Sequence, residues 1–147
     1  VNTLYTYSGS AARLAVDVSA GVKITDELLT TATVTTADLR ASNGVIHVID
    51  KVLVPPGVLN VVQMAQLNPS FSTLVGAVVD ASLVNALSDP AATLTVFAPT
   101  NAAFAAIAGT VASLSVPELT TVLTYHVLGT VVESSGIPFG TPVNTLA

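Results

Sequence analysis

Leu94-Thr95-Val96-Phe97-Ala98-Pro99-Thr100-Asn101-Ala102-Ala103-Phe104 joins a strand to a helix start within a few residues. Its first half is β-branched and aromatic and ends at a proline, which reads as a short strand. Thr100 then stands where a helix N-cap belongs, ahead of an Ala-rich run with Phe104 and Ile107 as its apolar stripe. A strand that turns through Pro-Thr-Asn into a helix predicts a mixed fold.

On the C-terminal side, Ser115 and Glu118 have capping-box spacing. Leu114 and Leu119 are placed as a hydrophobic staple, and Pro117 falls in the first turn, where its missing donor costs little. The helix they start is expected to run to Tyr125-His126. Val127-Leu128 and Val131-Val132 return to strand-like sequence, broken by Gly129 and Gly136. On the N-terminal side, Val58, Val61, Val62 and Ala65 repeat at helical spacing, as do Phe71, Leu74, Val75, Val78 and Val79 beyond Asn68-Pro69-Ser70. Two helices are predicted there.

The first third alternates in twos. Leu14, Val16 and Val18 stand against Ala15 and Asp17, a Gly21 turn precedes Val22 and Ile24, and Ala32 to Thr36 leads to Asp38-Leu39. Ser42-Asn43-Gly44 supplies turn chemistry before the run Val45 to Val54, which reads as a buried strand stopped by Pro55-Pro56. The order is strands, then helices, then strands: an α+β chain of one domain's length.

Composition excludes several classes of function. Four basic residues against nine acids leave no clustered positive face, so nucleic acid is not an expected partner. The chain has no cysteine, hence no disulfide and no thiolate site. No window of membrane-spanning length is free of polar interruption, and no basic flank precedes an apolar run. A membrane span and a signal peptide are therefore not expected within these residues, and an export signal would lie outside them.

Few residues invite a chemical role. His47 and His126 have no ligand spacing around them, so no metal is expected, and each is read as hydrogen-bonded structure: His47 in a core or edge strand, His126 at a helix end. No nucleophile elbow, phosphate loop or dinucleotide fingerprint occurs. Asp26-Glu27 reads as a polar turn with solvated or capping carboxylates, and Asp38, Asp50 and Asp89 lie in unrelated segments. The chain is expected to be no enzyme and to need no cofactor.

Three segments together resemble the fasciclin, or FAS1, domain family. Leu94 to Phe104 resembles its first signature block, Tyr125-His126 its Tyr-His motif, and Gly44 to Pro55 its second block. Asn68 to Val75 and Thr36 to Gly44 are similar to supporting stretches. The blocks stand in the opposite order from the family's: residues 1–56 correspond to its C-terminal half and residues 57–147 to its N-terminal half. Val1-Asn2-Thr3-Leu4 recurs as Val143-Asn144-Thr145-Leu146 where those halves would join. The expectation is one domain in permuted order, sampled from a tandem array. Pro55-Pro56-Gly57 would be its linker, and a closed monomer is expected in preference to halves exchanged between molecules.

The resemblance implies a β-sandwich or wedge of about seven strands, with a block of helices packed on one side. It also implies a non-catalytic extracellular adhesion module. Its partners would be a cell-surface or matrix protein or glycan and neighbouring repeats, in a biofilm or matrix setting, and the missing cysteines and glycosylation sequons point to a bacterium. By resemblance, Tyr125, His126, His47, Thr100 and Asn101 carry over as structural residues, Tyr125 and His126 as organisers of the core. Asp38-Leu39 matches an Asp-Ile adhesion motif with Leu for Ile, a pair that otherwise reads as a buried anchor beside a turn. A carrier or sensor of a small apolar ligand is the alternative function, since Val- and Ala-rich helices could leave a gap beside the sheet.

Overall fold

The computed structural model describes residues 1–137 and 140–147. The chain divides into two compact units, Val1–Leu59 and Asn60–Ala147. Every helix described lies in the second and most of the strands in the first, so the chain is α+β.

The first unit begins with a hairpin. Strand β1 (Asn2–Tyr7) pairs antiparallel with β2 (Ser10–Arg13). Ser8 and Gly9 turn it with φ of 48° and 79°, the doubly positive turn whose twist matches that of the flanking strands. Then β3 (Ala15–Asp17), β4 (Lys23–Thr25), β5 (Thr31–Ala41) and β6 (Gly44–Ile49) form a four-stranded antiparallel meander in sequence order. Tyr5 Oη donates to the Pro56 carbonyl at 3.2 Å. Gly57, at φ 74°, lies so close to the Tyr7 ring that a Cβ there would overlap it, which explains a glycine directly after two prolines.

This unit has a thin interior, with Leu28 and Ala32 its buried apolar residues. The expectation of a buried strand over Val45–Val54 is corrected on both counts. The strand ends at Ile49, and Val45, Ile46 and Val48 are exposed. Strand β6 is the edge of its sheet and no helix belongs to its unit, so a β-branched run that suits a central strand here meets solvent.

The second unit is built on side-chain caps. Asn60 and Gln63 form a reciprocal capping box on α1 (Val61–Leu67). Asn68 caps the 3-10 turn Pro69–Phe71, which leads into α2 (Ser72–Asp80) and α3 (Val84–Leu87). Strand β7 (Thr95–Val96) precedes α4 (Asn101–Ala106), α5 (Ala108–Ser113) and α6 (Val116–Tyr125). Strand β8 (Val127–Leu128) returns antiparallel to β7, with Val96 opposite Val127. Thr95 Oγ1 donates to the Thr130 carbonyl and accepts from Val132 N, extending the ribbon by side-chain contact. Val131 and Val132 are themselves outside any strand.

Val62, Leu74, Ala77, Val78, Leu87, Phe104, Leu123 and Val127 meet in one core. Ile107 and Val79, read as stripe residues, are more than half exposed. Helix α4 stops at Ala106, so Ile107 is a junction residue between two helices and leaves the Phe104 face. The described residues contain eight strands in three small sheets, against about seven expected.

Candidate functional site

On β5 and β6 the pairing sets Leu39 opposite Ile46, and Thr36 opposite Val48. Directly opposed residues share a face, as do residues two apart on one strand. Leu39, Ile46 and Val48 therefore form one apolar stripe, and their exposures of 46%, 57% and 41% leave it open to a partner. Arg40 and Val45 oppose each other on the reverse face.

The stripe owes its shape to an irregular ladder. The register of β5 against β6 shifts between Val34 and Thr36 and again between Thr36 and Leu39. Asp38 sits in the second shift at φ 60°, a left-handed conformation that aspartate tolerates better than most residues. Its N–H donates to His47 Nδ1 at 3.3 Å, which places the imidazole proton on Nε2. The bulge turns Asp38 and Leu39 out to solvent, so they are not the buried anchor that the turn reading implied. His47 is an exposed residue of the edge strand.

Tyr125 and His126 close α6. The Tyr125 ring is 68% exposed, which corrects its reading as a core organiser. Leu123 faces the core, and two residues further a helix has turned about 200° away. His126 is half-buried and its Nδ1 lies 2.8 Å from the Val122 carbonyl. A carbonyl only accepts, so this nitrogen carries the proton and satisfies an end-of-helix oxygen. The two rings meet edge to face with centroids 6.5 Å apart.

Thr100 Oγ1 accepts from Ala103 N to cap α4. Asn101 spans two elements, donating to the Pro69 carbonyl and to Ser72 Oγ while its Oδ1 accepts from Thr73 N at 2.9 Å. One side chain thus ties the start of α4 to the start of α2.

Sequence reasoning missed Asp26, read as part of a solvated turn. It is 5% exposed and forms an ion pair with Lys51 at 2.6 Å, while Lys51 also reaches the Thr30 hydroxyl. Leu28 N, Thr30 Oγ1 and Val54 N donate to the same carboxylate. Burial alone would raise its pKa, but Lys51 and the backbone donors outweigh burial and hold it below the usual carboxylate value. The signal was a single lysine after the apolar run Val45–Ile49: a cation drawn into such surroundings needs a counter-charge. No described helix is long and apolar enough to cross a membrane.

The chain is 55% identical over 75 residues to Protein sll1483 of Synechocystis sp., covering 48% of this chain and 41% of that protein. It is 47% identical over 72 residues to the uncharacterized protein sll1735 of the same organism, covering 47% and 53%. The chain thus spans about half the length of the curated relatives it matches. A solved FAS1 domain pair from the insect cell adhesion molecule Fasciclin I aligns at TM-score 0.49 and 21% identity, over 80% of this chain and 42% of that one. The Fasciclin domain model matches residues 1–55 and 69–147. With both units covered by that model, the chain belongs to the fasciclin domain family.

Proposed function

We propose that this chain is a non-catalytic adhesion module of an exported bacterial repeat protein. It binds a surface or matrix protein or glycan through the Leu39–Ile46–Val48 stripe. Fasciclin domains are in general adhesion modules and typically stand outside the cell or on its surface, and the Synechocystis relatives support a bacterial source. The observation that carries the reading is the stripe itself: aligned apolar side chains held open on an edge hairpin mark an interaction surface.

Residues 1–56 stand as the C-terminal half of the fasciclin pattern and residues 57–147 as its N-terminal half, together one domain in permuted order. The thin interior of the first unit supports this, because about 60 residues alone bury too little surface for robust stability. The alternative, an apolar-ligand carrier, finds no support in the depression beside β6. The depression beside β6 is lined by consecutive residues, Ile49 to Leu53, and so has one wall.

Magnitude decides how such a module works. Covering three half-exposed side chains contributes about 1 kcal/mol each, little against the cost of association. One copy therefore binds weakly, and linked copies bind through effective concentration. On glass coated with matrix from a cyanobacterial biofilm, a linked array should be retained at least ~100-fold more tightly than a single chain. Replacing Leu39 and Ile46 with serine should remove that gain. Equal retention of one copy and many, or an unaffected double variant, overturns the proposal.

A further inference from the structure

We propose that the edge of β8 on which Leu146 sits is a strand-exchange site whose incoming strand is Val1–Leu4 of a second copy of this chain. This goes beyond the adhesion reading and does not depend on which receptor the module meets. The segment Val-Asn-Thr-Leu occurs at 1–4 and at 143–146, and each copy is hydrogen-bonded within its own unit. Val1 and Leu14 exchange backbone bonds at 2.7 and 2.8 Å, whereas Leu146 N donates to the Val127 carbonyl at 2.9 Å. The two copies share one burial pattern: Thr3 and Thr145 are half-buried and the residues beside them exposed.

The two sets of bonds are compatible on a single strand. Successive residues of an extended chain send their N–H and C=O to opposite edges, so positions three apart face opposite ways. The first residue of the motif bonds Leu14, just past β2, and the fourth bonds Val127 of β8. One copy can therefore keep its bonds to Leu14 on one edge and lie along β8 on the other. In the first unit that second role is unfilled at the side-chain level, since Leu4 is fully exposed while Leu146 is 50% exposed. The difference has a visible cause: a Leu146 Cδ atom sits over Gly129, so close that an added Cβ would lie 3.3 Å from it. The bare glycine backbone is a seat for the motif's leucine, and Leu4 is a second leucine fitted to it.

Within one molecule the seat is held by Leu146, tethered through residues 129–145 and favoured by effective concentration. The surplus strand is then Val1–Leu4, and the seat it takes is on a molecule whose own copy has swung out. Because the donor strand and the acceptor edge are different surfaces, exchange is heterologous and builds open chains in preference to closed dimers.

The chain has no cysteine, so introduced pairs report without ambiguity. In the full chain carrying L4C and G129C, mild oxidation should give a ladder of covalent multimers whose yield rises with protein concentration. Adding Leu146→Asp, which weakens the resident segment, should raise that yield further at fixed concentration. A chain with L146C and G129C should instead close within one molecule, which shows that the edge is formed. In the cysteine-free chain, Leu4→Asp should abolish concentration-dependent growth in light scattering. No crosslink between positions 4 and 129, a crosslink found only within monomers at every concentration, or failure of the 146–129 pair each overturns the proposal.

Discussion

Asp26 draws Leu28 N, Thr30 Oγ1, Lys51 Nζ and Val54 N onto one carboxylate, joining the β4–β5 loop to the segment after β6. Removing its charge leaves a lysine that is 27% exposed without its counter-ion. A fully buried broken pair costs about 3–5 kcal/mol, and the partial exposure of Lys51 lowers that to about 2 kcal/mol for Asp26→Asn. Amide exchange in β4 and β5 should show the loss. The pH dependence has a definite sign. The folded carboxyl is depressed below its unfolded value, so its stabilisation is complete above that value, near pH 4, and is lost as pH falls through the folded pKa. Asp26→Asn should flatten the acid limb of the stability curve, and an unchanged limb would contradict the clamp.

Among the elements, β5 shows where local rules stop being readable. Its two register shifts and the left-handed Asp38 follow from pairing with β6, and nothing in Thr-Thr-Ala-Asp-Leu announces them. Asp38→Gly should leave stability unchanged or raise it by up to about 1 kcal/mol. Asp38→Val should lower it by about 1–2 kcal/mol, because a β-branched residue tolerates that φ poorly. Urea unfolding of the two variants checks the order. Helix α6 is the opposite case. The Glu118 carboxylate accepts from Ser115 N and Oγ at 2.8 and 2.5 Å, so a start set by residues three apart was legible before any fold was known.

At the scale of the whole chain, the second unit carries most of the buried apolar side chains, with Phe104 among α2, α6 and β8 residues in its core. Phe104→Ala should cost about 3–4 kcal/mol and lower exchange protection along α2 and α6. A loss below about 1 kcal/mol would mean that the core closes over the gap.

What the sequence determined by itself was local. Hydrophobic period, caps and turn residues act within a few positions of one another, so β3 to β8, helices α1, α2 and α4, the α6 start and the α+β class could be read directly, while the β1–β2 hairpin, α3 and α5 could not, and the signature blocks carried the family. Exposure was decided only by tertiary structure. Whether a Val-rich strand such as β6 is central or at an edge, whether Asp26 meets water or Lys51, and which way Tyr125 faces depend on contacts between distant residues. Those contacts leave no periodic trace in the chain, because burial is a property of what packs against a residue and not of the residue alone.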